Sequence, residues 1–292
     1  MLAHAAALLI ICITATAKNG ISHRSTGGYL SIYGPDGRLR HQVPLEASTG
    51  RWRLPPGTTA AVIDIGARAD TPFRGRLARE PNLFMIAVEP NLTFEALRAS
   101  IAKLPNADRR RTLLLNVALG PTSLGSFATL STGDWHDGAC GSLMRRSRQA
   151  RVARGGIHDA CMQHTRNVTV PVLPLEALLA PFNDGFVDDL KVDAQGLDLS
   201  ILKSGGDHLS RVVRRVTAEV QAVSKDSPLL LYEGQPTKDD VVDFMRQRGF
   251  TLTGCDENGK SAVREQNCHF CNERLVRRRF FGLLGGGGCG SQ

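Results

Sequence analysis

Aromatic residues are scarce: two Trp, three Tyr and 11 Phe make 5% of 292 residues. With few rings to stack bases, and no recognition motif beside a net charge of +8, nucleic acid is not an expected partner. Long apolar runs are missing too. The stretch Ala5 to Ile13 falls short of the roughly twenty residues that span a bilayer, and no Lys or Arg precedes it. Ala15-Thr16-Ala17 then fits a small-x-small cleavage pattern. Residues 1–17 are therefore expected to be a signal peptide that leads into the secretory pathway, with an uncleaved membrane anchor or an organelle leader as alternatives. There is no internal repeat. Cys268-His269-Phe270-Cys271 has no second CxxC to complete a four-ligand metal site, so no metal is expected. A disulfide from Cys255 to Cys268 or Cys271 and free buried thiols both remain open. Without Cys12, which would leave with the signal peptide, six cysteines remain, an even set that suits an oxidising compartment.

What is present centres on Ala60-Ala61-Val62-Ile63-Asp64-Ile65-Gly66-Ala67. A β-branched apolar run of this length suits a buried strand, which delivers Asp64 and Gly66 to its carboxyl end. A second run, Phe84 to Val88, ends in Glu89 about twenty residues on, as in a βαβ unit whose acid accepts from ribose hydroxyls. A dinucleotide fingerprint would need two further glycines, and the turn here reads Gly66-Ala67-Arg68-Ala69-Asp70-Thr71. A donor without a phosphate is favoured.

Along the chain, residues 18–57 read as an amino-terminal extension, two short extended pieces around the turn Gly34-Pro35-Asp36-Gly37. A domain over 58–281 follows. It is expected to hold a short helix at Phe73 to Ala78, a crossover helix at Asn91 to Leu104, a third strand at Thr112 to Leu119 and an edge strand at Ser126 to Leu130. Residues 131–166 look like an insertion. Arg145, Arg146, Arg148, Arg151 and Arg154 crowd into it, either as a solvated loop or as a lid that offers cations to an acidic substrate. Extended structure returns at Val168 to Leu173, followed by a helix at Leu175 to Leu179. A strand then runs into Val192-Asp193-Ala194-Gln195-Gly196, with a helix from Leu197 to Leu202, a strand from Val212 to Val220 and a helix from Asp239 to Arg248. A closing hairpin is expected at Phe250 to Thr253 and His269 to Val276, and residues 282–292 as a glycine-rich disordered tail. Two glycosylation sequons occur, Asn91-Leu92-Thr93 and Asn167-Val168-Thr169. The first adjoins the expected cofactor pocket and is expected to be unmodified.

In order and spacing, Val62-Ile63-Asp64-Ile65-Gly66-Ala67, Ile86-Ala87-Val88-Glu89-Pro90-Asn91, Asn116-Val117-Ala118-Leu119-Gly120, Gly138-Ala139-Cys140-Gly141-Ser142-Leu143 and Leu190-Lys191-Val192-Asp193-Ala194-Gln195-Gly196-Leu197-Asp198 resemble the FkbM family of S-adenosylmethionine-dependent methyltransferases. The resemblance covers about residues 58 to 276. It implies an α/β class I methyltransferase fold, Rossmann-like, a mostly parallel seven-stranded sheet with helices on both faces. It implies S-adenosylmethionine as cofactor, with Asp64 and Gly66 at its methionine end, Glu89 at the ribose, and Asn116 and Ala118 on the adenine side. Asp193 becomes the candidate catalytic residue, orienting or deprotonating an acceptor hydroxyl. Gln195, Glu219 and Ser142 fall on the substrate side, and the acceptor would be a small molecule or glycan. The chain departs from the family pattern at Arg68 and Asp70, where an asparagine and a second glycine are usual, and at Gln195, where a glutamate is common. A non-catalytic binding protein on the same fold is the alternative reading.

Overall fold

The structure, a computed structural model, describes residues 23–26, 29–46, 48–91, 93–132, 141–149, 166–257, 265–280 and 289. Outside the described residues lie the expected signal peptide, Arg151 and Arg154, Cys140 and Cys161, and the tail apart from Cys289.

The chain opens with an antiparallel sheet of β1 (His23–Thr26), β2 (Tyr29–Tyr33) and β3 (Leu39–Pro44). It continues through β4 (Ala60–Ile65), α1 (Arg74–Arg79), β5 (Leu83–Val88), α2 (Phe94–Ala102), α3 (Asn106–Arg109) and β6 (Thr112–Leu115). A small sheet follows, made of β7 (Ala118–Leu119), β8 (Phe127–Thr132) and β9 (Arg166–Leu173). The rest comprises α4 (Leu175–Leu179), β10 (Val187–Val192), α5 (Asp198–Lys203), α6 (Gly206–Val212), β11 (Val213–Gln221), α7 (Lys238–Gln247), β12 (Thr251–Glu257), β13 (Glu265–Cys271) and α8 (Glu273–Phe280).

Seven strands form the central sheet in the order β12-β13-β11-β10-β4-β5-β6. Neighbours from β6 to β11 run parallel, and β13 is antiparallel to both β11 and β12. The chain builds outward from β4 to β6, returns to lay β10 beside β4, and builds outward the other way. That reversal makes the carboxyl ends of β4 and β10 a topological switch point, where open α/β sheets bind ligands.

All six residues of β4 and of β5 are buried, which explains why these strands read as continuous apolar runs rather than alternating ones. Period-2 geometry divides β4 between two clusters. Ala61, Ile63 and Ile65 pack with Leu178, Ile201 and Met245. Ala60 and Val62 pack with Leu77 of α1 and with Leu97 and Ile101 of α2. Each fully buried Leu or Ile contributes on the order of 1.5–3 kcal/mol. The amino-terminal sheet joins the first cluster through Leu30, Ile32 and Val43. Nearby, the Trp52 indole N–H donates to the Leu178 carbonyl at 3.1 Å, tying the segment after β3 to α4. At the far end of the central strands, Arg76 of α1 pairs with Asp188 and Asp189 of β10 and with Glu80.

Two expectations need correction. The apolar run Thr112 to Leu119 is two strands, because the chain turns at Asn116 and hands Ala118 and Leu119 to β9 in the small sheet. The second closing strand ends at Cys271, and residues 273–280 are helical. There the Asn272 side chain donates to the Ser210 carbonyl at 2.7 Å and stops the pairing. A helix at Gly206–Val212 was not expected at all. Of the open cysteine pairings, Cys255 bonds Cys268 across β12 and β13, and Cys271 bonds Cys289. Asn91 of the first sequon is buried and its amide donates to Thr132 Oγ1 at 2.8 Å.

Candidate active site

The crevice is set by Gly66. Its φ of 79° falls in the left-handed region, and a Cβ there would collide with the Asp193 carbonyl. Glycine therefore lets the turn after β4 lie directly against the turn after β10. Asp193 N–H donates to Ile65 O at 3.0 Å, and Gly66 N–H to Val88 O at 3.0 Å, so three strand ends are tied together.

Asp64 is 0% exposed, and Lys191 stands opposite it in the register of β4 and β10. The Lys191 ammonium lies 3.4 Å from Asp64 Oδ1 and 3.2 Å from Asp193 Oδ2. Burial pushes the Asp64 carboxyl above its ordinary range, while Lys191 and the Thr71 hydroxyl pull it back. Neither partner meets hydrogen-bond geometry, which leaves both Asp64 oxygens unsatisfied. Burial works against the Lys191 charge as well, yet Asp193 and Asp64 hold its pKa above the ordinary lysine value.

Beyond Asp193 the polar array continues. Gln195 Nε2 donates to Asp193 Oδ1 at 3.3 Å and to Glu219 Oε2 at 3.0 Å. Tyr232 O–H donates to Gln195 Oε1 at 3.2 Å. Gln195 has a φ of 52°, and its carbonyl accepts from Ser142 Oγ at 2.7 Å. Ser142 thus meets the Gln195 turn through a backbone contact and holds it in place. Burial, followed by the charges of Asp193, Glu265 and Asp198, lifts the Glu219 carboxyl well above the usual range. Asp198 is pushed up to about 7 by burial and by Asp193, although the N–H groups of Ala194 and Gly196 donate to it at 3.1 Å.

One strand over, Glu89 is buried, and its two oxygens accept from Arg68 N–H and Asn91 N–H at 2.8 Å each. Burial raises its pKa against those bonds. Asn116 Nδ2 donates to the Glu89 carbonyl at 2.8 Å. Arg68 has an exposed side chain and a φ of 53°, while Asp70 pairs with Arg74 at 3.7 Å.

Asp64, Gly66, Asp193, Gln195, Glu219 and Ser142 are therefore brought to one crevice, with Glu89 and Asn116 beside it. Ala118 is placed elsewhere, packed with Leu130, Val170 and Val172 in the small sheet. From the crowded arginines of 131–166, Arg145 pairs with Glu233 at 3.6 Å and Arg146 lies 5.8 Å from the Tyr232 ring centre. Lys191 and Tyr232 were not singled out by sequence. Lys191 was legible in part, because it sits two positions before Asp193 and so shares its face. Nothing local pointed to Tyr232.

The family model described as "Methyltransferase FkbM domain" matches residues 64–252. No curated protein matches the sequence. Among solved structures, the pyocyanin biosynthetic protein PhzM is similar at 11% identity and a TM-score of 0.36, over 75% of this chain and 52% of that one. The chain thus spans about half the length of PhzM. Magnesium protoporphyrin IX methyltransferase (ChlM) from Synechocystis PCC 6803 with bound SAM gives 9% identity and a TM-score of 0.39, over 74% and 71% of the two chains. The glycopeptide N-methyltransferase MtfA complexed with sinefungin gives 11% and 0.34, over 73% and 81%. Likeness at this level supports no inference about what is bound or modified.

Proposed function

The chain belongs to the FkbM methyltransferase family, and from that premise we propose that it moves a methyl group from S-adenosylmethionine to a hydroxyl oxygen of a small molecule or glycan. The observation that carries the hydroxyl acceptor is the Asp193–Gln195–Glu219 array at the switch point. A hydroxyl must lose its proton as its oxygen is methylated, and this array sets two carboxyl groups where an acceptor would enter.

The crevice residues fit the donor. Asp64 presents buried oxygens without hydrogen-bond partners, and beside the Lys191 ammonium at 3.4 Å it keeps acceptor capacity for a second ammonium group. Glu89 accepts two backbone N–H groups and, as a carboxylate with about four acceptor positions, keeps capacity for a ribose diol. When bound, S-adenosylmethionine supplies an electrophilic methyl carbon and a thioether leaving group. The chain's own work is then placement. The Lys191 ammonium lies 3.2 Å from Asp193 Oδ2, and Gln195 couples Asp193 to Glu219, so that the array can orient the acceptor hydroxyl and receive its proton. In-line displacement gains most from such positioning.

Helices cover both faces of the central sheet, for which the division of its side chains between two clusters speaks. Residues 1–17 send the chain to the secretory pathway, which the bonds Cys255–Cys268 and Cys271–Cys289 suit. Membrane attachment follows only if that segment stays uncleaved, and nucleic acid is not a partner.

The test is transfer of labelled methyl from S-adenosylmethionine to panels of hydroxyl, amine and carboxylate acceptors, with the parent chain and Asp193→Asn. Hydroxyl products from the parent, lost in the variant while cofactor affinity holds, are expected. Transfer to amines alone, or full turnover by Asp193→Asn, would refute the assignment. Saturable cofactor binding with no product in any panel would favour the non-catalytic alternative.

A further inference from the structure

A cavity of about 250 Å³ lies against Pro90 and Asn91, the residues that follow Glu89, and part of its wall comes from outside the matched family region. Asn91 and Asn116 line it from the ends of β5 and β6, Thr169 from β9, and Pro35 and Arg40 from the hairpin that joins β2 to β3. Its volume is below the roughly 300–1,000 Å³ of a whole-ligand site, so it accommodates one end of a ligand.

The hairpin is bonded to the rim of this cavity. Asn116 N–H donates to His41 Nε2 at 3.1 Å, and the same residue's side chain donates to the Glu89 carbonyl at 2.8 Å. The His41 ring also meets Phe94 of α2 edge-on, with centroids 6.3 Å apart. Accepting from Asn116 requires an unprotonated Nε2. Burial, with Arg40 beside it, lowers the His41 pKa and keeps the imidazole neutral. Arg40 in turn is held by Asp36 at 2.9 Å across the hairpin turn.

Geometry along the crevice identifies the ligand end. If Glu89 takes the ribose diol, as proposed above, the donor's methionine end runs toward Asp64 and Gly66. The opposite end must pass Asn91 toward Asn116, into this cavity. That end is a purine. We infer that the β2–β3 hairpin is a wall of the cofactor site, enclosing the purine of S-adenosylmethionine, with His41 as the positioning residue that fixes Asn116 at its edge. Residues 29–44, which lie ahead of the matched segment 64–252, thereby contribute to donor affinity without touching the reacting atoms.

The experiment rests on binding, not turnover. S-adenosylhomocysteine and 5′-methylthioadenosine, which lacks the amino-acid end, are titrated calorimetrically into the full chain and into His41→Ala and His41→Gln. Loss of one buried hydrogen bond predicts about tenfold weaker binding of both ligands to His41→Ala. His41→Gln, which keeps an acceptor oxygen, retains most of the affinity. Hydrogen exchange on the unmutated chain gives a readout that needs no variant: S-adenosylhomocysteine slows exchange over 29–44 as well as at 64–67. Unchanged affinity in a folded His41→Ala, or ligand protection at 64–67 with none over 29–44, overturns the inference and leaves the donor reading intact. Absence of binding to the unmutated chain overturns both.

Discussion

Replacing Lys191 with methionine tests the electrostatics of the crevice most directly. Methionine keeps much of the apolar stem and removes the ammonium that stands 3.4 Å from Asp64 and 3.2 Å from Asp193. Asp193 is 25% exposed and can turn to water; Asp64 is 0% exposed and cannot. The cost therefore falls on Asp64. Leaving one member of a buried pair uncompensated costs about 3–5 kcal/mol, unless the carboxylate takes a proton. Proton uptake sets the pH dependence. Burial already raises the Asp64 pKa in the folded parent, and losing Lys191, which pulls it down, raises it further. Between the unfolded and folded pKa values the folded chain binds more protons than the unfolded one, so stability falls as pH rises through that window. The deficit of Lys191→Met should thus be largest above neutrality and shrink on acidification. Urea unfolding at about pH 7.5 and about pH 5, followed by circular dichroism with slopes compared, measures it. Asp64→Asn completes a double-mutant cycle, and the doubly substituted chain is expected to recover about 2–3 kcal/mol relative to Lys191→Met. A loss below about 1 kcal/mol at both pH values, or a loss independent of pH, would refute the assignment of Lys191 as the counter-charge of a buried carboxylate.

Gly66→Ala combines a φ of 79° with a collision against the Asp193 carbonyl. It is expected to cost about 2–4 kcal/mol and to weaken S-adenosylhomocysteine binding, as read by thermal unfolding and calorimetry. Arg111→Met removes a buried guanidinium that donates to the carbonyls of Leu77, Glu80 and Leu83 and to Asp108. A loss of about 3–5 kcal/mol in chemical unfolding is expected, and a loss under about 1 kcal/mol would show the network to be dispensable. Asp198, with its pKa pushed up to about 7 from an ordinary 3.8, should titrate near neutrality by carboxyl carbon NMR. Its contribution to stability should be lost as pH rises from about 4 to about 7, and ionisation complete by about pH 5 would contradict its burial. Replacing Cys255 and Cys268 together by alanine opens a crosslink with a sequence separation of 13. About 3 kcal/mol should be lost relative to the oxidised parent, with little difference once both are reduced.

The central strands were legible because their burial is recorded locally. β4 and β5 are covered on both faces, so their residues form unbroken apolar runs, and each run ends at the acid that reaches the crevice. The turn chemistry of Gly66 was legible for the same reason, since only glycine suits that backbone. The division at Asn116 was not. The run from Thr112 to Leu119 has one composition throughout, and what interrupts it is distant in sequence: His41 accepts the Asn116 N–H, and β9 captures Ala118 and Leu119. Likewise, the strand ending at Cys271 gives way to a helix because Asn272 finds the carbonyl of Ser210.

Within the candidate site the same boundary holds. Strand alternation in the sequence put Lys191 on the face of Asp193, and the strand-end position of each acid placed it at the ligand-binding edge. That Lys191 lies between two carboxylates, that Tyr232 closes the array through Gln195, and that the amino-terminal hairpin reaches Asn116 were decided by tertiary structure alone. Period and burial are properties of a short window of chain, and the sequence by itself determined the strands, their faces and their carboxyl ends. Pairing register and packing between distant segments depend on which surfaces meet. The partner of each charged group, and hence its ionisation, existed only once the sheet had closed around it.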